Sequence, residues 1–473
     1  MRFGRERARR ALLSAWLLAT LLPLLPDSRA STFTNLQVLW SFPSSNATAY
    51  PYAPLLEGSD GFLYGTTSGG LSVSDLGAVF KLDKAGSNFM VLHRFASSEG
   101  DTPASALIEA TNGVLYGTTW LDGTNNGGSI FKINKDGSGF AVLHYFTLAT
   151  NDGGNSVSAL LQGSDGQLYG TAQYGGTAPL GGDGVVFKMD LAGSNFMVLH
   201  SFTGSDGVAP QAPLIEGTNG ALYGTTYNGG ISNVGTIFRV DKDGNNFSVI
   251  HHFTGGTNDG ASSTASLLKG PNGKFYGTSS AGGTFQKGVI FNLDYNGSNF
   301  MVLHHLGANT TDSLQPSSLI QGPDGVMYGT SYIGGASGRG TVFGLNPDGS
   351  GYAVFIRFAN TNGANPNGLI TGSDGALYGT CNSGSGPAVN GTVFRLRGLA
   401  DTDVLSTPLR LGNGWRISGH GISNRIYNLQ YATNISAPVF WMFLGNPTAN
   451  NLGDWQFDDL TNSARRFYRT SYP

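Results

Sequence analysis

An all-β fold, a seven-bladed β-propeller closed by its N-terminal strand and followed by a small C-terminal β-sandwich, is predicted by three observations. One unit of about 50 residues returns seven times, marked by the Tyr of a YGT element at 64, 116, 169, 223, 276, 328 and 378. Each unit carries four short apolar runs, as in APLIEG, ALYGTT, GTIFRV and FSVIHHF from Ala212 onward, and four strands per unit make a propeller blade. The composition fits: 72 glycines and only 12% charged residues indicate a turn-rich chain, while 40% apolar and 11% aromatic residues give it surface to bury.

The chain begins with a basic stretch, MRFGRERARR, then the apolar ALLSAWLLATLLPLLP, then a small-x-small exit at Ser28 and Ala30. Residues 1–30 therefore read as a secretory signal peptide cut after Ala30, with Arg9 and Arg10 weakly similar to a twin-arginine signal. The apolar run contains Pro23 and Pro26 and falls short of the roughly 20 residues a spanning helix needs, so no membrane insertion is expected. Cleavage removes six basic and two acidic residues from the 27 and 30 of the whole chain, leaving 21 against 28, a net charge of −7. An acidic chain argues against nucleic acid or an anionic membrane as partner. Cys381 is the only cysteine, so burial and strand pairing, not an intramolecular disulfide, must hold the exported protein, which is expected to be a monomer.

Within each unit, Asp-Gly or Asn-Gly at 60, 112, 165, 219, 272, 324 and 374 joins the first two strands, which predicts tight two-residue turns. From the first-strand Leu (55, 107, 160, 214, 267, 319, 369) to the YGT Tyr is always nine residues. From the third-strand Phe (80, 131, 187, 238, 291, 343) to the fourth-strand Val (91, 142, 198, 249, 302, 354) is always eleven, so both hairpins are fixed in register. The other two connections each run 15 to 18 residues between the same markers. In an up-and-down blade alternate connections share a side, so the variable loops define one face, and binding usually resides on such loops. The last unit ends at NGTVFRLRG without its fourth strand, whose counterpart VLWSF stands at the front, Val38 to Phe42. The propeller thus occupies 31–398.

After the linker 399–408, residues 409–473 change texture. GWRISGHG, RIYNLQYATN, FWMFLG, DWQFDD and RRFYRTS read as five short strands, with Tyr427, Leu429 and Tyr431 on one face. This segment is similar to the small β-sandwich that ends many secreted bacterial proteins, serving there as a folding unit or for surface attachment.

LYGTT, GG, GTVF, VLHxF and the DGxxP of Asp206 to Pro210 together resemble the GloVer tandem repeat (choice-of-anchor) family of secreted bacterial proteins, over residues 36 to 397. The resemblance implies export and a propeller-like array, with C-termini that differ in sorting or anchoring. It implies no activity.

The candidate chemistry is sparse. His93, His144, His200, His251 and His304 share a fourth-strand position, with His252 and His305 beside it. Strand spacing puts equivalents on neighbouring blades at least about 12 Å apart, whereas zinc ligands lie within about 4 Å of each other, so these histidines serve packing. The YGT glycine sits inside a strand and is read as bare backbone for an aromatic of the neighbouring blade. Asp241 to Gly244 has the D-x-D-G start of a calcium loop, but Ile250 stands where the bidentate Glu belongs.

On the variable face, Asp101, Asp152, Asp206, Asp259 and Asp312, completed by Asn46 and Asn362, read either as oxygen ligands for calcium or sugar hydroxyls or as Asx turns capping their own backbone. Trp120, Tyr227 and Tyr332, each four residues after the YGT Tyr, and Tyr174 one residue later in its loop, read as stacking surfaces for carbohydrate or peptide or as packing between blades. Glu57, Glu109 and Glu216 occupy one rigid-hairpin position, and only Glu99 reaches the variable face. No Ser-His-Asp ordering, H-E-x-x-H or phosphate loop is visible. The leading expectation is an extracellular, non-catalytic binding or scaffold protein with a glycan or protein ligand on the variable face. The alternatives are a secreted propeller enzyme acting on polysaccharide through its aspartates and a purely structural surface protein.

Overall fold

The computed structural model describes residues 33–43, 49–69, 75–149, 152–177, 182–270, 272–359, 361–384 and 389–398, and in the C-terminal part 409–411, 414–420, 428–432, 442–445, 454–459 and 467–471. The expected signal peptide (1–30) and linker (399–408), Asn46 and Tyr427 lie outside the described residues.

Seven four-stranded antiparallel sheets make seven propeller blades. Blade 1 consists of Leu56–Glu57, Leu63–Thr67, Ala78–Leu82 and Met90–Arg94, paired in that order from the inside outward. Blades 2 to 6 repeat it. In blade 7 the order is Ala364–Thr371, Leu377–Ser383, Val389–Gly398 and then Phe33–Pro43, so the N-terminal strand is the outermost. Its register copies that of the other fourth strands. Phe394 pairs with Val38 and Val393 with Trp40, skipping Leu39, just as Phe80 pairs with Val91 and Val79 with His93, skipping Leu92. Trp40 stands where blades 1 to 5 hold histidine and blade 6 holds Ile356, and it stacks on Phe89 of blade 1 at 4.1 Å between ring centroids.

The rigid hairpins differ from the two-residue turns expected. In blade 1 the Gly61 amide donates to the Gly58 carbonyl and the Gly58 amide to the Phe62 carbonyl, and only Gly61 is left-handed, at φ 81°. This is a type I turn followed by a glycine bulge, in which Asp60 keeps an ordinary backbone. Its carboxylate instead accepts from the Tyr64 hydroxyl at 2.7 Å. All seven YGT tyrosines are buried with the hydroxyl at this turn residue, Asp or Asn. The turn chemistry is chosen by the tyrosine as much as by the turn.

The YGT glycine also differs from expectation. A Cβ on Gly224 would meet Phe238 Cζ at 2.6 Å and Leu214 Cδ2 at 2.8 Å, and both belong to its own blade. Gly224 and Phe238 are cross-strand partners, and the ring folds back over the bare backbone. The same ring also meets Phe202, at the end of blade 3, edge-on at 5.1 Å between centroids.

Neighbouring blades are joined on the rigid face by a recurring staple. Ser59 donates through its amide and hydroxyl, both at 2.7 Å, to Glu109 of the next blade, which also pairs with Lys135 at 2.6 Å. Ser164 and Lys242 hold Glu216 in the same way, and Ser373 of blade 7 and Lys84 hold Glu57 of blade 1. Burial works to raise these carboxyls, but the lysine and serine bonds outweigh it and leave all three below the usual range. The three glutamates are therefore joints.

The C-terminal residues form two three-stranded antiparallel sheets: Leu409–Leu411, Gly414–His420 and Asp454–Asp459 in one, and Met442–Gly445, Asn428–Ala432 and Phe467–Ser471 in the other. The strands number six rather than five because Leu409–Leu411 pairs back onto Gly414–His420.

Candidate functional site

The variable face is built by pairing each inter-blade loop with the next blade's second-to-third-strand loop. Gly153–Gly154 pairs with Tyr174–Gly175, Gly260–Ala261 pairs with Ala281–Gly282, Asp101 bridges Leu121, and Val208 bridges Asn228. One residue per blade, at the entry to the innermost strand, is left-handed: Tyr50, Thr102, Asn155, Ala209, Ser262, Gln315 and Asn365, at φ 53 to 57°. Only two are asparagine, so tertiary bonds must hold the others there. The amides of Thr102, Asn155, Ala209, Ser262 and Asn365 reach back to carbonyls of the preceding blade, Leu76, Gly127, Asp183, Val234 and Arg339. Tyr50 of blade 1 reaches Asn390 of blade 7 likewise, at 2.7 Å. Where proline follows, as at Pro51, Pro103, Pro210 and Pro366, its ring lies against a glycine of the preceding blade. That contact accounts for the proline of DGxxP.

The aspartates of this face stand three residues before the left-handed residue, and they work with the histidines. His144 Nε2 lies 3.0 Å from Asp152, His200 from Asp206, and His251 from Asp259. Each imidazole also stacks on a ring of the next blade: Phe196, Phe247 and Phe300, at 3.4 to 4.1 Å between centroids. The second carboxylate oxygen accepts from the loop's own amides, those of Thr147, Thr203 and Thr254. Burial pushes these carboxyls up, but the histidine bond and its companions outweigh it and leave them below the usual range. Asp152 and Asp259 are only 8% exposed and Asp312 5%.

Asp101 is not their equivalent. Glu99 holds that place, pairing with His93 at 3.0 Å and accepting from the Ala96 amide. Asp101 accepts from the Thr102 hydroxyl, and its carboxyl is raised by burial and by nearby Asp122. In the loop leading to blade 6 the pattern changes again. The Tyr352 hydroxyl takes Asp312 at 2.6 Å, and His304, stacked on Tyr352 at 3.5 Å, leaves its Nε2 buried with no hydrogen-bond partner. Of the two readings of these residues, the capping one has the closer match at Asp152, Asp206, Asp259 and Asp312, whose carboxylates bond to amides of their own loops and to a histidine or tyrosine of the adjoining strands. Among the described residues no group of three or more His, Cys, Asp or Glu converges to hold a metal ion.

The aromatic residues divide. Trp120, Tyr174 and Tyr332 are exposed by 36, 46 and 36%. Tyr227 and Tyr332 line one cleft of about 310 Å³ with Thr264, Ser280, Gln315, Ser317 and Asn367, from the variable loops of blades 4 to 7. Trp120 and Tyr174 lie outside it. The backbones of the cleft tyrosines are fixed: the Tyr227 amide donates to Ala209 at 3.2 Å, and Asn365 Nδ2 donates to the Tyr332 carbonyl at 2.9 Å. Asn382 donates to the Tyr332 hydroxyl at 3.3 Å, and burial, followed by nearby Tyr52, raises that hydroxyl's pKa. Sequence reading passed over Tyr52, Thr264, Gln315, Ser317, Asn367 and Ser280. Ser280 alone carried a signal, since it sits four residues after a YGT Tyr like the two tyrosines.

Seven four-stranded sheets with one loop-rich face define a β-propeller. The Gloeobacter/Verrucomicrobia repeat matches residues 28–235, 148–313 and 307–409, and the chain belongs to that repeat family. Among solved structures it is similar to an oligogalacturonate lyase in complex with manganese, at 13% identity and TM-score 0.51, covering 78% of this chain and 94% of that one. It is also similar to a fungal alcohol oxidase of the AA5 family in complex with copper, at 11% identity and TM-score 0.50, covering 90% and 92%. The extracellular domain of a one-component system from B. thetaiotaomicron aligns at 12% identity and TM-score 0.48, covering 91% of this chain, which spans 59% of that one. At these identities the likeness concerns the fold. No curated protein matches. No helix among the described residues is long and apolar enough to cross a membrane.

Proposed function

We propose that the chain is an exported, non-catalytic binding protein whose ligand seat is the variable face of blades 4 to 7. The cleft between Tyr227 and Tyr332 carries this reading, because it joins two aromatic rings, carried on hydrogen-bonded backbone, to a lining of hydroxyls and amides. Such groups recognise a ligand, but they exchange no protons near neutral pH, as an acid–base pair must. The basic, apolar and small-x-small order of residues 1–30 supports export. Pairing of Phe33–Pro43 with Val389–Gly398 supports ring closure by the N-terminal strand, and the two C-terminal sheets support a sandwich.

The test is saturable binding without turnover. The full chain is screened against arrayed glycans and surface proteins, with and without calcium, and each polysaccharide that binds is assayed for new reducing ends. A saturable ligand with no product is expected. Product formation would make the protein an enzyme, and a calcium-dependent signal would place a cation in the site.

A further inference from the structure

The ligand class can be taken further, on the reading that the cleft is the binding site. The position four residues after each YGT Tyr is held, from blade 1 to blade 7, by Ser68, Trp120, Gln173, Tyr227, Ser280, Tyr332 and Asn382. Ring-bearing and hydrogen-bonding side chains alternate. The cleft covers three consecutive members, with small Ser280 as the opening between two rings. Ser280 is itself pinned, its hydroxyl donating to the Ser262 carbonyl at 2.7 Å.

We propose that this cleft binds a short stretch of an uncharged saccharide chain, with sugar rings stacked on Tyr227 and Tyr332. Three features of the lining select that class. First, the exposed side chains of Thr264 and Gln315 can both donate and accept, while Ser280, Ser317 and Asn367, which already donate to Ser262, Thr330 and Pro51, still offer acceptor oxygens, a mixture that matches sugar hydroxyls. A proline-rich peptide, the other common guest of aromatic grooves, lacks most amide donors and offers chiefly carbonyl acceptors. Second, the described lining holds no Asp, Glu, Lys, Arg or His, so a uronate, sulfate or phosphate would find no cation to pair with. The net charge of −7 left after removal of residues 1–30 also repels anionic chains. Third, the tyrosine backbones are already bonded in place, so little ordering is required on binding, as suits rigid aromatic contacts. A volume of about 310 Å³ lies at the lower end of small-ligand cavities, roughly 300–1,000 Å³, so only part of a longer chain is gripped.

The experiment is calorimetric titration of the full chain with uncharged hexasaccharides of glucose, xylose and mannose, with oligogalacturonate of equal length, and with a proline-rich decapeptide. At least one neutral hexasaccharide binds, with less than a twofold change in affinity between 50 and 500 mM NaCl. Tyr227→Ala and Tyr332→Ala each weaken it at least tenfold. Thr264→Trp, an added ring at an exposed position of the lining, abolishes binding without lowering the melting temperature, which separates a blocked site from a damaged fold. Binding to no neutral hexasaccharide, tighter binding of oligogalacturonate, or unchanged affinity in all three variants overturns the inference. If only the peptide binds and the variants remove that binding, the face remains a ligand site and the saccharide class is wrong. If the variants change the binding of nothing, the reading of the face falls with it.

Discussion

Placing a methyl group on Gly224 tests the packing on which every blade depends. An added Cβ would stand 2.6 Å from Phe238 Cζ and 2.9 Å from Cε1, against roughly 3.5–4.0 Å for relaxed carbon contacts, so the ring must retreat by about 1 Å. It has no room to do so. Phe238 is fully buried, with Phe202 edge-on at 5.1 Å and Phe247 near-parallel at 5.8 Å between centroids. Overfilling a packed core costs about 1–3 kcal/mol, and alanine recovers about 0.5–1 kcal/mol of the entropy that glycine forfeits in a strand. Gly224→Ala should therefore destabilise by about 1–2 kcal/mol and Gly224→Val by more, read as a shift in urea midpoint at unchanged slope. Phe238→Leu removes the obstructing ring atoms, so in the double variant the alanine should cost at least about 1 kcal/mol less than it does alone. A change under about 0.5 kcal/mol for Gly224→Val, or strict additivity with Phe238→Leu, would refute the close approach of ring to backbone.

Three further outcomes follow from the joints. Deleting Leu36–Phe42 uncovers the edge of Val389–Gly398, and size-exclusion chromatography should show association and a lowered melting temperature; a stable monomer would remove the N-terminal strand from the closure. Asp152, Asp206 and Asp259 have lowered carboxyl pKa values, so their stabilisation is complete above the ordinary aspartate range near 3.8 and is lost as pH falls through the lower folded values. Melting temperature should fall steeply below about pH 4, and less steeply in Asp259→Asn, whereas parallel curves would detach Asp259 from acid stability. Tyr352→Phe frees Asp312 to meet His304, as Asp152, Asp206 and Asp259 meet His144, His200 and His251, so the His304 pKa, now depressed chiefly by burial, should rise in an NMR titration; an unmoved value would mean that the tyrosine is not what separates the pair.

Architecture was legible because the spacings that encode it are invariant. Nine residues from Leu55 to Tyr64 and eleven from Phe80 to Val91 are hairpin registers, and the structure pairs Leu56 with Tyr64 and Phe80 with Val91. The histidine–carboxylate joints were hidden because their spacing changes, six residues for His93–Glu99 and His200–Asp206 but eight for His144–Asp152 and His251–Asp259. Loop length is absorbed between the partners while the bond is kept, and in the first loop the partner is Glu99, with an unrelated aspartate, Asp101, two residues on. The glycine's partner was misplaced for another reason: sequence gives the vacancy at Gly224 but not which ring fills it. The cleft was half legible, since its two tyrosines share a repeat position with Ser280, whereas Gln315 and Ser317 come in at a left-handed turn on Gln315, a residue type that does not announce one.

The seam in blade 7 also fixes how the molecule responds to tension. Phe33, at the start of the N-terminal strand, pairs with Gly398, at the end of the third strand, so the chain enters and leaves the ring at one point. A load applied through the two ends would peel these strands apart one bond at a time, a weaker geometry than sliding them past each other with every bond strained together. The next hold is different in kind. Tyr50 on Asn390, Pro51 against Gly391 and Asn367 on the Pro51 carbonyl still clasp blade 1 to blade 7 on the loop-rich face, independently of the peeled strand. Pulling should therefore give two separate force events, an early release of the outer strand and a later opening of the ring itself.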